Sequence, residues 1–358
     1  MGRELLEAVD EAEALEALHA LACTDGLPVV VPTPERVERF VAASGLDGDL
    51  VLGDMGPGLG AATVDLVAAA AVMAGCLPDH MPVVTAAVQA VCQPEFDLTE
   101  MQATTHCTAP LVIVNGPVRQ ACGFRSGFGA LGPGFRANAA VGRALRLAMI
   151  NIGGGRAGES DMALLGHPGK FSYCLAEDEE ASPFTPLHVH RGFAPEESVV
   201  TVVGAEAPHS VICITDADDP DSPLRLLRSI AAGIANMGAN NAHIGGRGMV
   251  TVVVNPDHAA VLERGGYDRA KLAEALCELA VNRRSQLAEL SPAIGAAGSP
   301  DDLVRSVRHP EDLLVVHAGG GGLYSMVMPS WCAGPHANRA VSQRVDLNPA
   351  CAIPGLGL

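Results

Sequence analysis

The chain reads as an α/β or α+β protein in which helices cover mixed sheets, with repeated β-α units of internal pseudo-symmetry as one arrangement that its patterns allow. Three observations carry that reading. Short β-branched runs alternate with stretches of helical periodicity. One local pattern recurs three times: a β-branched run, a proline near the first helical turn, then a glycine stop followed by an apolar residue. Hydrophobic residues make up 48% of the 358 and charged residues only 18%, so much surface must be hidden in a large core or between subunits.

The elements follow in order. Met1 to Ala22 is acidic and spaces Leu5, Leu6, Val9, Leu15, Leu18 and Leu21 along one side of an amphipathic helix. It lacks the charged-then-apolar order of a signal peptide, so the expected location is the cytoplasm. Val29 to Val31 predicts a strand, followed by a helix over Pro34 to Ser44 and a stop at Gly45-Leu46. The apolar run Gly60 to Cys76 contains Asp65 and suits a buried helix over Ala61 to Gly75 better than a membrane span. The pattern returns at Val112 to Asn115, with Gly116-Pro117 and Gly123-Phe124, and a helix is expected over Ala137 to Asn151. Strands are expected at Val199 to Val203 and Val211 to Thr215, then a helix over Ser222 to Met237. The third occurrence is Val252 to Asn255, Pro256 and Gly266-Tyr267. A helix over Asp268 to Leu290 and a strand over Leu313 to His317 follow, with Ser222-Pro223 and Ser299-Pro300 as helix starts. The recurrence fits duplicated units or ordinary β-α units. The division expected is 1–24 as an N-terminal helix, 25–155 as a first α/β unit, 156–345 as a second, and 346–358 as a tail.

A net charge of −18 with no run of Lys or Arg disfavours nucleic acid and anionic membranes as partners. Ten cysteines without a CxxC pair are expected to be mostly free thiols.

Chemistry-bearing residues crowd between Gly166 and Phe193. Lys170, Ser172 and Cys174 share one face of an extended chain, where a desolvated lysine can serve a serine or a thiol nucleophile. His188 and His190, also two apart, would point to one side of a strand and suit a divalent metal. The acids Glu177 to Glu180 read as a solvated face. His106, just before a strand, is a candidate acid or base. Three glycine loops, Gly153 to Arg156, Gly245 to Gly248 and Gly319 to Gly322, can approach a ligand closely. With them come candidate substrate contacts at Arg125, Arg136, Arg247, Gly246, Gly320 and Ser325. Gly127 to Gly132 matches GxGxxG, but its nearest strand ends too far upstream and no acid follows at the right distance, so a nucleotide cofactor is not expected. An echo of Gly, aromatic and Ser near Ser126, Ser172 and Ser325 suggests serines ringing one site.

The stretch GHPGKFSYCLAEDEEASPFTPLHVHRGFAPEES, with VVVNPDHA and VVHAGGG followed by YS, resembles a family of uncharacterised bacterial proteins. The resemblance covers most of the chain beyond Asp25 and implies a redox partner, because relatives lie near or are joined to small proteins carrying a UGSC-type thiol or selenol motif. This chain contains neither UGSC nor CGSC. The expected function is an enzyme of hydrolase or lyase type acting on a small anionic metabolite, as a homo-oligomer. The alternatives are a non-redox subunit presenting substrate to a thiol or selenol partner, and a structural oligomer-forming protein.

Overall fold

A computed structural model describes residues 6–216 and 218–347. Its strands are β1 (Val51–Met55), β2 (Gly60–Thr63), β3 (Ala109–Asn115), β4 (Cys174–Ala176), β5 (Val199–Ala205), β6 (His209–Ile212), β7 (Val250–Val254), β8 (Val281–Arg283), β9 (Leu303–Arg305), β10 (Leu313–His317), β11 (Tyr324–Pro329) and β12 (Val341–Arg344). Two four-stranded mixed sheets dominate, ordered β12-β5-β3-β4 and β10-β7-β11-β6, with helices around them, which is an α/β or α+β architecture.

The sheets repeat one pairing scheme. β3 is parallel to β4 and antiparallel to β5, and β5 is antiparallel to β12. β7 is parallel to β10 and antiparallel to β11, and β11 is antiparallel to β6. The edge strands are exchanged: β6 follows β5 in the chain but joins the second sheet, while β12 follows β11 and joins the first. Pairing also crosses the division drawn near residue 155, since β4 and β5 lie beside β3.

Side-chain alternation builds four layers. Leu111, Ile113, Val203 and Ala205 of the first sheet meet Val253, Leu314, Val316 and Met328 of the second in one buried layer. Val112, Val114, Val200 and Val202 face the other way, against the helices Val64–Ala74, Met81–Val91 and Arg136–Asn151. Val250, Val252, Val254 and Val315 pack against the helices Ser222–Ile234, Pro256–Arg264 and Arg269–Leu279. Among the described residues no helix is long and apolar enough to cross a membrane.

Several sequence expectations change. Val29 to Val31 forms no strand; Val30 N–H bonds the Met73 carbonyl near a helix end instead of a sheet neighbour. The helix after it does run Pro34–Ser44, capped by Thr33 and ended by Gly45 at φ 70°. The N-terminal helix is confined to Glu11–Ala20 and buries Leu18 alone, while Leu6 and Val9 are exposed. The helix expected over Asp268 to Leu290 breaks at Ala280, where β8 leaves to pair with β9. No helix starts at Ser299-Pro300. Residues 1–5 of the N-terminal segment and 348–358 of the tail lie outside the described residues.

Candidate functional site

The helix Arg136–Asn151 lies against the chain just before β4, and its Gly142 permits that approach. A β-carbon there would stand 2.6 Å from both Ser172 Oγ and Tyr173 N. After this helix the chain loops through 153–171 and returns over the start of β3. Backbone N–H groups of Met162 and Leu164 bond the carbonyls of Gln102 and Thr105. The loop and the helix end enclose a cleft of about 680 Å³.

Arg146, Arg156, Asp161, His167 and Lys170 line this cleft. Asp161, 3% exposed, lies 3.0 Å from both Lys170 Nζ and an Arg146 guanidinium nitrogen. Lys170 also donates to the Thr108 carbonyl at 3.2 Å, and Arg146 to Gln102 Oε1 at 3.1 Å. Burial pushes the Lys170 ammonium below its usual range, against the opposing pull of Asp161. Burial, then the charge of Lys170, lowers the pKa of His167. Its Nδ1 accepts from Gly169 N–H at 3.1 Å, so the neutral ring carries its proton on Nε2. His106 bonds Glu206 Oε1 through Nε2 at 2.8 Å, and both groups lie near enough to His167 to act on its charge.

Asp25, which also lines the cleft, is engaged by Arg143 at 2.7 and 2.8 Å. With Asp161 also paired, Arg156 is the cleft cation whose Nε is buried without a hydrogen-bond partner among the described residues. The cleft therefore combines a desolvated lysine, a neutral imidazole and an arginine suited to a carboxylate or phosphate.

Other residues picked from the sequence fall elsewhere. Ser172 is not paired with Lys170, because its hydroxyl donates to the Ala139 carbonyl at 2.7 Å. Cys174 is buried in the core at 4% exposure, and desolvation raises its thiol pKa well above the reactive range, the reverse of an activated nucleophile. His188 and His190 sit on a short helix, Leu187–His190, where residues two apart face different directions. His188 is fully buried with Nε2 3.4 Å from the Pro195 carbonyl. Among the described residues no group of three or more His, Cys, Asp or Glu is placed to hold a metal.

Arg136 closes the end of another helix by donating to the carbonyls of Gly75 and Cys76. Gly246 passes against the backbone of Arg305 to Val307, where a β-carbon would meet the Arg305 carbonyl at 2.7 Å. Its neighbour Arg247 is exposed. Arg125 is exposed beside a separate depression that also includes Ser126 and Phe128. Gly320 lies under the Phe128 ring, which a β-carbon would strike at 2.1 Å.

Ser325 borders a third hollow, but strand alternation turns it with Val327 toward the helices. Its hydroxyl donates to His258 Nδ1 at 2.7 Å, because His258 Nε2 is engaged with the Cys213 carbonyl at 3.0 Å. This contact ties β11 to the helix Pro256–Arg264. The three echoed serines thus belong to three places. The acidic run is a solvated face only at its end: Glu177 is fully buried and Glu179 largely so, while Glu180 is exposed, and Arg119 holds Glu179 and Glu180 at 2.9 and 2.8 Å.

Sequence reasoning reached Lys170 directly and Arg156 through its glycine loop. His167 lies in the chemistry-bearing segment but was given no role there, and Asp161 was missed, since nothing in its local spacing marks it.

No protein-family model matches the chain, and no curated protein matches it.

Proposed function

We propose that the chain is a cytoplasmic enzyme acting on a small anionic metabolite by bond cleavage or rearrangement, of hydrolase or lyase type. The observation that carries this reading is Lys170 held against buried Asp161 on the inner wall of a large cleft, beside neutral His167 and the under-bonded Arg156. Arg156 would clamp the anion, and Lys170 would move the proton.

Calorimetric titration with acetate, malonate, pyruvate and inorganic phosphate tests the clamp. At least one of them is expected to bind saturably, with affinity about tenfold or more weaker in Arg156→Gln, the scale of one charge-assisted hydrogen bond. Equal affinity in the variant, or no binding by any of the four, rejects the reading.

A second reading is favoured by the cleft's apolar lining, where Leu165 and Phe171 are exposed at 93% and 47%, and by Met162 and Leu164 of the same loop, exposed at 42% and 77%. Such an apolar surface suits a subunit that presents substrate to a thiol or selenol redox partner. Purified alone, that subunit would sediment as a species unchanged by Leu165→Glu. A shift to a smaller species would show instead that this surface joins copies of this chain into the expected homo-oligomer.

A further inference from the structure

Next to the cleft lies a small chamber of about 10 Å³, room for one water-sized group. Arg146 and Lys170 line both spaces. The chamber's other polar walls are Thr108 and Gln102, 0% and 1% exposed. Thr108 Oγ1 and Gln102 Nε2 have no hydrogen-bond partner among the described residues. Leaving such groups unpaired in a protein interior is costly, so each points to something it can bind.

The donor inventory selects the occupant. Gln102 Oε1 already accepts from Arg146, which leaves the amide N–H₂ facing outward as a pure donor. The threonine hydroxyl can donate. Lys170 as an ammonium has three donors, of which Asp161 and the Thr108 carbonyl take two. Three donor groups lining one chamber, two of them without a hydrogen-bond partner among the described residues, call for an oxygen acceptor, and the volume admits only one such atom.

We infer that this chamber is an oxygen-binding subsite that takes one carboxylate oxygen of a substrate whose remaining atoms lie in the cleft. The inference rests on the reading of the cleft as an anion site and adds to it the substrate class, a small carboxylate presented end-on. Thr108 and Gln102 would then position the substrate together with Arg156 of the adjoining cleft.

Formate is the probe, because its carbon and one oxygen can remain in the cleft while the other oxygen enters. Crystals of the full chain grown with formate are expected to place an oxygen about 2.7–3.2 Å from Thr108 Oγ1 and Gln102 Nε2. Calorimetry is expected to show formate binding about five- to tenfold weaker in Thr108→Val, the effect of one hydrogen bond. Thr108→Ser, which keeps the hydroxyl, should retain the affinity, and this separates a lost contact from a damaged fold. Formate on Arg156 with the chamber holding only water overturns the subsite and leaves the anion cleft standing. Formate bound nowhere in the cleft overturns both.

Discussion

Arg269→Leu is expected to lower stability by about 3–5 kcal/mol, the range for leaving one member of a buried ion pair without its partner. Glu177 is fully buried and Arg269 is 3% exposed. The carboxylate accepts from Asn115 Nδ2 at 2.6 Å, from Leu187 N–H at 2.7 Å and from the Arg269 guanidinium, with His317 N–H at 3.4 Å. It thus joins the ends of β3, β4 and β10 to the helix Arg269–Leu279. Removing the cation strands a negative charge where the two sheets meet. For a chain of this length the loss corresponds to a melting temperature lower by about 4–7 °C, read by scanning calorimetry. Adding Glu177→Gln to Arg269→Leu should recover a large part of the loss, because the amide needs no counter-charge. A drop of under about 1 kcal/mol in the single variant would mean that the pair is solvated.

That ion pair also shows where local sequence reading stops. Four consecutive acids look like surface, because nothing within a few residues can neutralise them. Their cations arrive from far away: Arg269 is 92 positions from Glu177, and Arg119 is 60 from Glu179. The strands behave similarly. β3, β7 and β10 were legible because each is a buried Val-rich run that ends at, or is followed directly by, Asn or His. The exchange of β6 and β12 was not, since each pairs with a strand more than a hundred residues away. Val29 to Val31 has the composition of a strand, but its Val30 N–H goes to the Met73 carbonyl at a helix end.

In the site, period-two spacing misled wherever the backbone was not extended. Lys170 ends a short turn of 3₁₀ helix, Pro168–Lys170, so Ser172 leaves in another direction and finds the Ala139 carbonyl. After Pro186 the chain turns into a helix and separates His188 from His190. The burial that lowers the Lys170 pKa comes from the packing of the 153–171 loop over β3 and not from its spacing to Ser172. Asp161, Thr108 and Gln102 were invisible because each is an ordinary residue made unusual only by long-range packing.

Lys170→Arg is expected to reduce kcat by about 10²–10⁴-fold on whichever carboxylate proves to be the substrate, with the fold intact. Arginine keeps the positive charge beside Asp161, yet it does not release a proton at any accessible pH. The variant therefore separates a proton-transferring lysine from one that merely balances Asp161. The sign of the pH dependence follows from burial, which lowers the lysine pKa below 10.5 in the fold. If neutral Lys170 is the base, kcat/KM rises with pH through that depressed value, and the rise disappears in Lys170→Arg. The same depression is a stability statement. Between the folded value and 10.5 the unfolded chain binds the proton more tightly, so wild-type stability should increase with pH across that window, an increase the variant lacks. Wild-type kcat in Lys170→Arg would assign Lys170 to the ion cluster alone and move the search for the base to His167 and the His106–Glu206 pair.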